Sequence, residues 1–196
     1  MDVRELISGD PDFEGYEVLE GDVPAYDPDT VDECLKLCSQ NLCGSYGTNW
    51  GCPPGHTAHM DSLTGSFDRT IVLKRTFEVD PKDTDRVKGY GKEMQDAVRT
   101  AVIRLRSSGI DCAGFADGGC SYCGVCAYPE PCRFPEMLIP SVSALGVDLG
   151  GYLATLGEGF SFRDDHLTLY GLILYRRLLT VSRVLSISLR AYPLRV

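Results

Sequence analysis

Four cysteines in one short run are the residues of this chain best able to do chemistry. The stretch Gly118-Gly-Cys-Ser-Tyr-Cys-Gly-Val-Cys-Ala-Tyr-Pro-Glu-Pro-Cys-Arg-Phe-Pro135 holds Cys120, Cys123 and Cys126 with two residues between neighbours, and Cys132 after five more. Gaps of two let one tight loop aim successive thiolates at three corners of a metal cluster, and a fourth thiolate from beyond the loop closes the site. Bacterial ferredoxins ligate iron–sulfur clusters with C-x2-C-x2-C-x3-C-P, where the last cysteine serves a second cluster. Here the final gap is longer and a single such run is present, so the chain is not a duplicated small ferredoxin. Gly118, Gly119 and Gly124 permit the turns such a loop needs, and turn N–H groups offset a cluster's negative charge. Zinc is the competing occupant, because four cysteines also make a closed tetrahedral site. Zinc pairs, however, usually come as two separated CxxC knuckles. The spacing therefore favours a [4Fe–4S] cluster, with zinc as the alternative and a structural disulfide as the weakest reading.

A second stretch, from Cys38 to Gly55, adds Cys38, Cys43 and Cys52 among four glycines, two prolines and the lone tryptophan, Trp50. Its composition makes it a shaped loop, and long glycine-rich loops in compact domains tend to be functional. Cys38, Cys43 and Cys52 form a candidate second cluster site, with Cys34, one helical turn before Cys38, as an optional fourth ligand. A rival set, Cys52, His56 and His59, suits zinc. Core packing of these cysteines is the bland alternative.

Composition narrows the function classes. The chain has 196 residues, enough for one domain with a real core. A net charge of −9 argues against nucleic acid as a general partner. Residues 1–33 hold twelve acids against one basic residue, Arg4, and read as a solvated acidic surface. The amino terminus lacks the basic and apolar regions of a signal peptide, and no apolar run is long enough for a membrane span. Nine cysteines in such a chain point to metal ligands in a reducing compartment, so a cytoplasmic location is expected.

The elements that must position these cysteines follow from periodicity. Tyr16–Glu20 reads as a short strand, and a helix starts near Pro28 with Asp27 or Thr30 as its cap. Residues 59–67 suggest a short helix. Arg69–Val79 is β-branched and apolar and reads as a strand ending at Asp80-Pro81. A long helix follows, with Asp80 expected as cap, Pro81 first and Gly109 at its end. Its apolar stripe includes Val87, Tyr90, Met94, Val98, Val102 and Leu105, and its other face, with Arg86, Lys88, Lys92, Arg99 and Arg106, is expected to be solvated. Ile110–Ala116 reads as a strand feeding the cysteine loop, which makes a βαβ unit with ligands at a strand's carboxyl end. Residues 136–156 suggest two helical pieces, and Leu167–Tyr175, apolar on both faces, suggests a central strand. The expected fold is a single α/β domain over residues 1–177, with a mixed sheet of about four or five strands, flanking helices and a ferredoxin-like cysteine loop. Residues 178–196 form a basic carboxyl-terminal extension, expected to serve structure or homo-oligomerisation.

Taken together, Cys43-Gly-x-Tyr-Gly-Thr-Asn-Trp-x-Cys52-Pro-Pro, the cysteine run through Cys132-Arg-x-Pro135, and Pro140-Ser-x-x-Ala144-x-Gly146-x-Asp148 resemble a known family. It is the bacterial and archaeal family labelled predicted metal-binding, of unknown function and frequent in anaerobes. The resemblance spans about Asp27 to Tyr175. It implies a cytoplasmic metal protein whose two cysteine regions act together, with the family's cysteines falling on Cys38, Cys43, Cys52, Cys120, Cys123, Cys126 and Cys132. It implies no established reaction.

Three functions are compatible with these residues. The first is an iron–sulfur protein that passes single electrons to a redox partner, with Arg133 beside Cys132 raising the potential. The second is a cluster-dependent enzyme in which Cys38, Cys43 and Cys52 leave one iron open to a small-molecule substrate. Tyr46, Asn49 and Trp50 would line that pocket, with His56 or His59 as proton donors. The third is a zinc-stabilised protein-interaction module.

Overall fold

The computed structural model describes residues 2–63, 65–161 and 163–177. The basic extension expected at 178–196 lies outside the described residues. Four strands form one sheet: β1 (Glu17–Asp22), β2 (Arg69–Glu78), β3 (Cys112–Ala116) and β4 (His166–Tyr175), in the order β1-β2-β4-β3. The α/β sheet with flanking helices is thus as expected, and β4 is the central strand that its two apolar faces demand. Every neighbouring pair is antiparallel. The parallel relation expected of a βαβ unit survives between β2 and β3, but β4 inserts between them. Ten residues of β2 and ten of β4 pair from Arg69↔Tyr175 to Glu78↔His166.

Side chains along β2 and β4 alternate between two cores. On one face Ile71, Leu73 and Ile173 pack with helix α4 (Thr84–Ser107) through Met94, Val98, Val102 and Leu105, and with α1 (Val3–Ser8) through Val3 and Ile7. On the other, Val72, Leu172 and Leu174 pack with Met60 of α3 (Met60–Leu63), Val142 and Leu145 of α5 (Val142–Leu145) and Leu153 of α6 (Leu149–Thr155). Each fully buried large apolar side chain contributes about 2 kcal/mol gross, so the sheet is a stiff platform. Gly114 and Gly171 let α4 lie close on it. A Cβ on Gly114 would stand 2.6 Å from Val102, and one on Gly171 would stand 2.2 Å from Val98. That close approach brings the middle of α4 to the loop leaving β3.

Helix α2 (Pro28–Ser39) begins as expected, with Asp27 accepting from the Asp29 N–H. Helix α4 starts later than the sequence suggests. Asp80 accepts from the Lys82 N–H in a separate turn, and Asp83, accepting from the Arg86 N–H, is the cap. At the other end Gly109 takes a left-handed φ of 80°. Its N–H reaches Arg106 O and the Ile110 N–H reaches Leu105 O, the paired bonds that close a helix on a glycine. The segment 135–156 contains a turn of 3₁₀ helix (Pro135–Met137) before α5 and α6. Among the described residues no helix is long and apolar enough to cross a membrane.

Candidate metal centre

The cysteine loop is fastened at its root before any thiol appears. Asp117, the first residue after β3, donates its N–H to Tyr170 O at 3.0 Å and accepts the Tyr170 N–H on Oδ2 at 2.8 Å. Desolvation where it packs into the fold pushes its carboxyl up to about 6, against the partial offset of that N–H. From α4, Gln95 Nε2 donates to Gly118 O at 3.2 Å. The loop then curls through left-handed Gly118 and Gly124. Cys120, Cys123, Cys126 and Cys132 line a single cavity of about 20 Å³, together with Trp50, Tyr122, Phe134 and Leu138. All four thiols expected to act together are therefore brought together. Among the described residues no group of three or more His, Cys, Asp or Glu side chains is arranged to hold a metal ion.

Two donors reach the sulfurs. The Trp50 backbone N–H points at Cys126 Sγ at 3.4 Å, and Arg99 Nη2 points at Cys120 Sγ at 3.9 Å. Arg99 corrects the expectation of a solvated helix face, since it is only 5% exposed. Its guanidinium also donates to Met137 O at 2.9 Å and to Asp96 at 2.5 Å, and it lies over the Tyr122 ring. The apolar stripe of α4 gave no sign of this role, because the partners come from the loop that the helix meets. Arg106 is likewise engaged, on Cys112 O at 2.9 Å. Arg133, the arginine singled out from sequence, donates to Val125 O across the loop.

The second loop gathers its thiols differently. Cys38 sits in the last turn of α2, Cys43 is exposed beyond it, and Cys52 is buried. The three line one cavity of about 150 Å³ with Tyr46, Pro53, Gly118, Gly119, Ser141 and Ser143. Burial, and then Cys43, Cys38, Cys120 and Cys126 in turn, push the Cys52 thiol up to about 12. Burial also raises Cys38, with Cys43 adding to it. These thiols hold their protons at neutral pH, so a metal bound there would displace them. Cys34 is absent from the lining, and its thiol faces Val147 O at 4.0 Å. Cys112 is a core residue whose thiol faces Val102 O.

The two loops interlock. Asn49 Nδ2 donates to Cys120 O at 2.8 Å while its Oδ1 accepts the Gly51 N–H. Trp50 Nε1 donates to Glu130 O at 2.7 Å, and its ring meets Tyr128 edge-on. Gly51 O accepts the Ser141 N–H at 2.8 Å. A Cβ on Gly51 would stand 2.8 Å from Cys120 N, and one on Gly119 would stand 2.9 Å from Cys52 Sγ. Only Tyr46 of the expected trio lines the second cavity. Trp50 lines the four-cysteine cavity instead, and Asn49 bridges the loops. The histidines are elsewhere. His59 Nδ1 lies 2.8 Å from Ala144 O, and His56 lines a third cavity beside Phe115, where burial lowers its pKa. Cys52, His56 and His59 are therefore not assembled as a zinc set.

The model of the family described as predicted metal-binding protein (DUF2284) matches residues 23–175. The chain belongs to that family. The matched span takes in both cysteine loops and ends with β4. No curated relative and no solved structure matches the chain.

Proposed function

We infer that this predicted metal-binding protein is a cytoplasmic iron–sulfur protein of redox metabolism. Cys120, Cys123, Cys126 and Cys132 hold a [4Fe–4S] cluster, and Cys38, Cys43 and Cys52 supply a second site. The observation carrying this reading is that Cys120, Cys123, Cys126 and Cys132, spaced two, two and five residues apart in one loop, line a single cavity. The donor set fits as well. N–H groups aimed at Cys126 and Cys120 are what a negatively charged cluster recruits. When bound, such a cluster carries single electrons at a potential within roughly −700 to +450 mV. Around it Val125 is 79% exposed, and Tyr122 and Phe134 are also exposed, an apolar rim suited to a redox partner.

Anaerobic purification followed by iron, acid-labile sulfide and zinc assays tests the proposal. Iron and sulfide in equal amounts are expected, with Cys126→Ser losing the iron of its site. Stoichiometric zinc without sulfide contradicts the proposal and favours the interaction-module reading.

A further inference from the structure

The second cavity has three thiols where the first has four. Cys38, Cys43 and Cys52 line it, and Cys34, the residue spaced to be the fourth ligand, faces Val147 O instead. Hydroxyls complete the wall. Ser141 is only 7% exposed and holds the N-cap position of α5, yet its side chain makes no capping bond. Its backbone N–H is committed to Gly51 O, which fixes the residue and leaves the hydroxyl beside the cavity. Ser143 and the Tyr46 phenol join it, and backbone at Gly118 and Gly119 supplies the remaining wall. Nothing in this lining offers a fourth thiolate or an imidazole.

We propose that this cavity binds a small carboxylate-class anion, which completes a metal site that the protein supplies with only three thiolates. Three sulfurs leave one position of a four-position centre open to an outside ligand, the arrangement by which metal sites admit substrates. Hydroxyl-bearing residues in the same lining as the thiols, Ser141, Ser143 and Tyr46, favour a ligand with acceptor oxygens. A carboxylate satisfies both demands, with one oxygen toward the metal and one accepting from Ser141. At about 150 Å³ the space suits a metal centre with a ligand of a few atoms at its mouth. The exposure of Cys43 gives that ligand a way in. Contact between Gly119 and Cys52 places the site against the four-cysteine loop, so electrons held there have a short path to it.

This inference rests on the iron–sulfur reading, and the full chain purified without oxygen tests the two separately. Ferricyanide removes one electron from a [4Fe–4S]2+ centre, and a centre with one iron lacking a protein ligand then releases Fe2+ and leaves [3Fe–4S]+. One ferrous ion per chain and a three-iron paramagnetic signal are expected in the wild type and in Cys34→Ser, and neither in Cys43→Ser. With 13C-formate as the probe, electron–nuclear double resonance of the reduced protein should show a 13C coupling. Ser141→Ala should weaken formate binding about tenfold at unchanged iron content. No ferrous release, loss of the signal in Cys34→Ser, no 13C coupling, or formate binding unchanged in Ser141→Ala would each overturn the inference. If Cys43→Ser keeps all of the iron while Cys126→Ser loses it, the inference fails and the four-cysteine cluster stands. If no variant ever held iron, both fail.

Discussion

The two cysteine loops are built on different principles. In the four-cysteine loop all the thiols come from one stretch, Cys120 to Cys132, clamped at its root by Tyr170 and Gln95. In the second, Cys38 comes from a helix end and Cys43 and Cys52 from a glycine-rich loop, and half of the wall is borrowed from Gly118, Gly119, Ser141 and Ser143. The first site is local and complete in thiols. The second is assembled by tertiary contact and three-sided. Closure would suit the proposed electron carrier, and a missing corner would suit the proposed ligand site.

The largest effects should come from the thiols themselves. Cys126→Ser removes a thiol that accepts the Trp50 N–H and is proposed to hold the cluster. It should strip the metal of the first site, read as iron per chain, while Cys34→Ser leaves the total unchanged. Equal losses in the two variants would erase the contrast drawn between the sites.

Gly51→Ala should come next, because it attacks the seam between the loops. Its new Cβ would press on the Cys120 backbone N at 2.8 Å, where no side-chain rotation gives relief. A cost of about 2 kcal/mol is expected from such overpacking, with metal lost from both sites. Denaturant titration and metal assay together check this. Loss from one site alone would mean that the loops do not depend on each other.

Asp117 tests the stiffness of the first loop's root. Its folded-state pKa of about 6 lies above the ordinary carboxylate value of 3.8. The native state therefore holds a proton that the unfolded state has released between those values, and this group's contribution falls as pH rises from about 4 to 6. Asp117→Asn keeps an acceptor for the Tyr170 N–H and removes the desolvated charge. The variant should equal the wild type near pH 4 and exceed it by roughly 2–3 kcal/mol above pH 7. Equilibrium unfolding across pH measures the difference, and a pH-independent gap would contradict it.

The smallest effect concerns tuning. A positive charge beside a cluster stabilises its more negative reduced form, so Arg99→Gln should lower the midpoint potential. Losing a bond worth about 1 kcal/mol corresponds to roughly 40 mV for one electron. Arg133→Ala should move it in the same direction but less, since that guanidinium sits on Val125 O. Redox titration of both variants decides which arginine tunes the site.

Much of the fold was legible because it is written in local periodicity. The stripe of α4, the β-branched run of β2 and the two-faced β4 each announce their elements, and the even spacing of Cys120, Cys123 and Cys126 announces a shared loop. Pairing order was not legible, since nothing in β4 itself says that it inserts between β2 and β3. Arg99 was hidden for the same reason. Its partners, Met137 O and Cys120 Sγ, are 38 and 21 residues away and become neighbours only when α4 settles on Gly114 and Gly171. Trp50 was placed beside its sequence neighbour Cys52, but the interlock of the loops turns it to the other cavity. Asp80 was the expected cap of α4, but its carboxylate is taken by a separate turn at the Lys82 N–H, and Asp83 caps the helix instead.

The central claim is that the Cys120–Cys132 thiols hold inorganic iron and sulfide. The most direct measurement is 57Fe Mössbauer spectroscopy of Cys43→Ser, grown on 57Fe and purified without oxygen, so that only the first site contributes. The account predicts the spectrum of a [4Fe–4S] cluster with every iron bound by sulfur. A mononuclear iron signal, or no iron with one zinc per chain, would contradict it.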